Sequence, residues 1–156
     1  MLHIAKVKGK MKLSSYSLRI HRMGMYAYGH EFYDISRKTK HSPVKPYLLG
    51  HALELFLKSF LMKKGSSIKQ LKSRSFSHNI DHLLKESLKH DIEDCFHISD
   101  ELKANISSFS KLYSAKRYEY FPIMAWIIGW QQPKMVRLSR FAKQLDRKLP
   151  AIIKDS

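Results

Sequence analysis

A chain of 156 residues corresponds to about one domain and is long enough to bury a real core. Its 29 Lys and Arg against 13 Asp and Glu give a formal net charge of +16, a self-repelling excess that calls for an anionic partner. The single cysteine, Cys95, excludes an intramolecular disulfide and fits a reducing cytoplasm, while no apolar run is long and uninterrupted enough to cross a bilayer. The basic start lacks the apolar stretch of a signal peptide, so a cytoplasmic protein without membrane attachment is expected.

Residues 1–13, with Lys6, Lys8, Lys10 and Lys12, read as a basic, solvated N-terminal arm. Residues 14–149 read as one helical domain and 150–156 as a C-terminal tail. Within the domain, Tyr16, Ile20, Met23, Ala27 and Tyr28 recur near the helical period and predict a first helix over Ser14 to Ser36. The segment from Arg37 to Lys45, rich in cations and broken by Pro43, predicts an exposed loop. Pro46 opens a second helix, and Gly65 closes it after Lys63 and Lys64.

Ser66 to Ser75 suggests a short helical turn and a loop. Ser77 is the expected cap of a third helix over about His78 to His90, with Ile80, Leu83, Leu84 and Leu88 inward. Ser99, followed by Asp100 and Glu101, predicts the start of a fourth helix ending near Ala115, with an apolar stripe of Leu102, Ile106, Phe109, Leu112 and Tyr113. Pro122 and Pro133 bracket an apolar stretch that reads either as extended chain or as a buried helical turn. A last, basic amphipathic helix follows over residues 134–149. With no sustained strand alternation and no repeat, the pattern predicts an all-α, four-to-five-helix up-and-down bundle.

The second helix is apolar on nearly every side except for Tyr47, His51, Glu54 and Lys58, which steps of three and four residues place on one stripe. An apolar cylinder with such a stripe predicts a cleft or a rim. A buried Glu54 would require partners beyond Lys58, for which His78, Arg117 and Tyr118 are the candidates. His78 and His82 share a helical face, but no acidic or thiol ligand recurs beside them at a known spacing, so no metal is expected. The phosphate-binding glycine loops are absent from the sequence, and no cofactor is expected.

The segments YLLGHALELFLKSFLMKKG, SFSHNIDHLLKES and KLYSAKRYEYFP, in that order between Pro46 and Pro122, resemble the higher eukaryote and prokaryote nucleotide-binding (HEPN) family. The residues that carry the likeness are Ala52, Leu53, Glu54, Lys58, Gly65, His78, Arg117 and Tyr118. The resemblance implies a HEPN-like bundle of four main helices plus extras, commonly a homodimer. It implies a protein acting on RNA, as metal-independent ribonucleases of toxin-antitoxin and defence systems do, or a non-catalytic module that dimerises or pairs with a nucleotidyltransferase-like partner.

Catalytic members space an arginine and a histidine as RxxxxH to RxxxxxxH. Here Arg37–His41 and Arg74–His78 are one residue too close, and Arg22–His30 and Arg74–His82 one too far. Any catalytic set would therefore be non-standard, with Arg74, His78 and Arg117 as its members. Cleavage without metal needs an acid, a base and a cation for the phosphorane, roles that histidine and arginine fit. Tyr47, His51, Glu54, Lys58 and Tyr118 would organise the cleft. The expected partner is RNA or another polyanion held through its phosphates.

Overall fold

A computed structural model of the chain describes residues 15–40, 44–115 and 133–154. The expected N-terminal arm, the stretch between Pro122 and Pro133, Arg117 and Tyr118 lie outside these residues. Among the described residues all regular structure is helical: α1 (Ser15–Lys38), α2 (Val44–Lys63), α3 (Ile68–Leu71), α4 (Ile80–Leu88), a 3₁₀ turn (Ile92–Asp94), α5 (Asp100–Ser114) and α6 (Met135–Lys154). The all-α bundle expected from the periodicities is thus the architecture. None of the described helices is long and apolar enough to cross a membrane.

Helix α2 is the centre of the core. Leu49, Leu53, Phe56, Leu57, Phe60 and Leu61 are buried on several sides at once because α1, α4, α5 and α6 all pack against it. Apolar residues around most of the cylinder are what such a position requires. Helices α1 and α2 run antiparallel: Arg22 meets Ser59, Tyr26 meets Phe56, and Phe32 meets His51. Gly65, at φ +103°, terminates α2 in a left-handed turn in which Ser66 N–H donates to the Leu61 carbonyl, a cap that a residue with a Cβ adopts with strain.

Several helix ends depart from the sequence reading: the expected Arg37–Lys45 loop is narrower, because α1 runs on through Lys38 and α2 begins at Val44. Ser99 caps α5 as expected, its side chain accepting from Leu102 N–H, but Asn79 and not Ser77 caps α4, accepting from His82 N–H at 3.0 Å. The reason is the turn before it: Phe76 and Ser77 N–H both bond back to the Ser73 carbonyl, and His78 takes a left-handed conformation at φ 55°, so the helix starts two residues later.

The last helix does not stop at Leu149 but continues through Pro150 to Lys154. Proline has no N–H for the carbonyl four residues back, here that of Asp146. Tyr26 on α1 fills the gap, its hydroxyl donating to the Asp146 carbonyl at 2.9 Å. Burial and the neighbouring Asp146 push the Tyr26 hydroxyl up to about 12, so it keeps its proton at neutral pH. Tyr26→Phe should cost about 1–2 kcal/mol, because it strands a partly buried acceptor. In a Pro150→Ala background the restored N–H should reduce that cost by about 1 kcal/mol; additive costs in a urea-unfolding double-mutant cycle would refute the assignment.

Candidate functional site

Glu54 is 4% exposed at the middle of α2, and its carboxylate takes part in four hydrogen bonds with three neighbours. Lys58, one turn on, donates to Oε1 at 2.7 Å. From the turn before α4, His78 donates its main-chain N–H to Oε1 at 3.2 Å and places Nδ1 3.1 Å from Oε2. From the last turn of α5, the Tyr113 hydroxyl donates to Oε2 at 2.7 Å and lies 3.0 Å from His51 Nδ1. The stripe expected from the helical spacing is therefore a half-buried network drawn from three separate parts of the chain.

Donor arithmetic sets the tautomers. Burial pushes the Glu54 carboxyl up, but Lys58, the Tyr113 hydroxyl and the His78 N–H outweigh it, so the group sits below its ordinary range and is ionised. An ionised carboxylate only accepts. The single hydroxyl proton of Tyr113 goes to Glu54, so His51 must donate Nδ1–H to the Tyr113 oxygen, and His78 donates Nδ1–H to Glu54. Both imidazoles then hold their Nε2 atoms free of this network. Their rings lie 5.9 Å apart and nearly perpendicular, and the His78 side chain is 44% exposed.

The residues named from sequence divide clearly. His51, Glu54, Lys58 and His78 come together, and Tyr47 joins them with its ring 4.5 Å from His51, edge to face. Arg74 is exposed in the turn ahead of His78 and makes no hydrogen bond or ion pair with Glu54 or His78. Tyr113 is the member that sequence reasoning placed in the core stripe of α5. Its ring is indeed 2% exposed, but a buried tyrosine hydroxyl needs a partner, and a buried glutamate needs donors.

One donor atom from each of His51, Glu54 and His78 lies within 4.8 Å of the others, an arrangement that could hold a metal ion. Chemically the set suits zinc or a similar ion. Ligation through either Nδ1 would displace hydrogen bonds already made to Glu54 and Tyr113, and Lys58 already neutralises the carboxylate. The other histidine pair considered in the sequence is not convergent in this way: His82 stacks edge to face on Phe76 at 4.6 Å.

The network makes stability acid-sensitive. Burial pushes the His51 imidazole below its ordinary 6.5, helped by His78 and Lys58 and opposed by Glu54. The unfolded chain therefore takes up a proton that the fold resists, and this stability is present above about pH 6.5 and lost as pH falls below it. Glu54, also depressed, adds stability that is present above its unfolded value and lost further down. His51→Asn should flatten the first decline. Urea midpoints at several pH values between about 5 and 7.5 read it, and a variant as pH-dependent as the wild type would overturn the assignment.

These observations define an all-helical bundle with a carboxylate-centred, two-histidine cluster at the rim of its core. Comparisons with protein-family models, with curated proteins and with solved structures each find no match.

Proposed function

We propose that the chain is a HEPN-like helical protein that binds RNA beside the Glu54 cluster. The observation that carries this reading is the run from Lys64 to His78. Lys64, Lys69, Lys72 and Arg74 are exposed, none pairs with an acid among the described residues, and they lead directly to the exposed His78 imidazole. Elsewhere the acids are largely engaged: Asp34 pairs with Lys38, Asp81 with Lys85, Glu86 with Lys89 and Glu101 with Arg137. A cation run without counter-charge among the described residues suits a phosphate backbone, and Tyr47 beside His51 offers an aromatic surface for an unstacked base.

Affinity for single-stranded RNA should fall steeply with salt, and joint replacement of Lys69, Lys72 and Arg74 by alanine should reduce the slope of log K against log salt by about 0.7 per lost phosphate contact. Binding indifferent to salt would overturn the reading. The exposed Tyr16, Ile20, Tyr28 and Ile35 on α1 also suit association with a second copy, which sedimentation of the intact chain would register as a dimer.

A second reading, RNA cleavage without metal, is favoured by the two imidazole rings of His51 and His78, 5.9 Å apart. In it, one accepts the 2′-hydroxyl proton and the other, protonated, donates to the leaving 5′-oxygen, while Glu54 orients His78. Cleavage in EDTA that is abolished by His78→Ala and by His51→Ala would support it; equal residual activity in all three proteins would rule it out.

A further inference from the structure

Arg22 lies on α1 at the junction with the end of α2, is only 9% exposed, and has its Nε buried without a hydrogen-bond partner. A guanidinium stays charged in a protein, and a buried charge that is neither paired nor fully hydrogen-bonded is strongly unfavourable. None of the ion pairs among the described residues reaches it. The carbonyls at the end of α2 accept from main-chain N–H groups, Phe60 from Lys64, Leu61 from Ser66 and Met62 from Gly65, and none is bonded to the Arg22 Nε. The nearby Ser59 hydroxyl donates to the Arg22 carbonyl, not to its side chain.

Beside Arg22 is a cavity of about 450 Å³ with no acid among the described residues that line it. Arg22, Arg19 and Lys63 supply positive charge, and Tyr16, Leu18 and Met62 supply apolar wall. We infer that this cavity binds a small organic anion, a phosphate or carboxylate head on an aromatic or apolar body, with Arg22 as its buried anchor. An anionic head would give this guanidinium, whose Nε lacks a partner, the kind of acceptor that arginine favours. Arg19 and Lys63 add charge around it. The volume falls within the range of small-molecule sites, larger than an inorganic anion needs, and the apolar wall matches the remainder of such a ligand. The cavity shares no residue with the Glu54 cluster, and anion binding there is independent of RNA binding.

The test uses the full chain, labelled with ¹⁵N and titrated with phenyl phosphate, benzoate and inorganic phosphate, following the arginine Nε–H resonances. The Arg22 resonance should shift and saturate with phenyl phosphate or benzoate, at concentrations at least tenfold below those needed with inorganic phosphate; the stronger of the two identifies the head group. In thermal melts the better ligand should raise the wild-type Tm and leave that of Arg22→Met unmoved, while the unliganded variant melts no lower than the wild type. An Arg22 resonance indifferent to all three compounds, or an equal Tm rise in the variant, would overturn the inference. Equal affinity for phenyl and inorganic phosphate, without tighter benzoate binding, would refute the apolar wall as part of the site.

Discussion

Glu54→Leu should lower the stability of this protein by about 3–5 kcal/mol, the loss seen when one member of a buried ion pair is removed. Leucine fits the helix and the volume, so the cost comes from what is left behind. Lys58, with its side chain 12% exposed, loses its counter-ion, and the Tyr113 hydroxyl and the His78 N–H lose their acceptor. Glu54→Gln keeps one acceptor oxygen, which can serve the Oε1 side (Lys58 and the His78 N–H) or the Tyr113 hydroxyl but not both, so it should cost less than Glu54→Leu. Adding Lys58→Met to Glu54→Leu should recover part of the loss, because no unpaired charge then remains and an apolar replacement of a buried pair is often tolerated. Urea unfolding of the three variants gives the ordering. A Glu54→Leu protein within about 1 kcal/mol of the wild type would mean that the network contributes little to the fold.

What could be read from the sequence was whatever the local period carries. The all-round apolar surface of α2, interrupted by His51, Glu54 and Lys58, marks both the central helix and the site, and Ser99 and Gly65 mark their helix ends through side-chain and backbone chemistry that acts within a few residues. What escaped depends on distant partners. Tyr113 sits 59 residues from Glu54 and continues the apolar stripe of α5, so nothing local separates its core ring from its functional hydroxyl. Pro150 reads as a helix stop until Tyr26, more than a hundred residues earlier, takes over the carbonyl that proline leaves free. Ser77 and Asn79 are both good caps, and the choice between them falls to the Ser73–Ser77 turn and the left-handed His78. Arg22 is buried by the packing of α1 on α2, which no local pattern in the sequence announces.

The same one-carbon substitution should have opposite signs at two glycines. At Gly24 an added Cβ meets no atom within 4 Å, so Gly24→Ala should stabilise α1 by up to about 1 kcal/mol through helix propensity alone. At Gly50 the added Cβ would lie 2.4 Å from Cδ2 and 2.5 Å from Cε2 of Tyr113, a distance no rotation of a rigid ring within its plane can relieve. Phe109, 6.1 Å away and stacked, and the surrounding core restrict any retreat. The ring must move, and with it the hydroxyl that joins Glu54 to His51. Gly50→Ala should therefore destabilise by about 2–3 kcal/mol, overpacking and the lost hydrogen bonds outweighing the gain in helix propensity. In a Tyr113→Ala background the clash is gone, and Gly50→Ala should become neutral or stabilising. A cycle over these four proteins isolates the contact: if Gly50→Ala costs the same with and without the Tyr113 ring, glycine is not there to admit it, and the close approach of α5 to α2 is not what holds the tyrosine on the carboxylate.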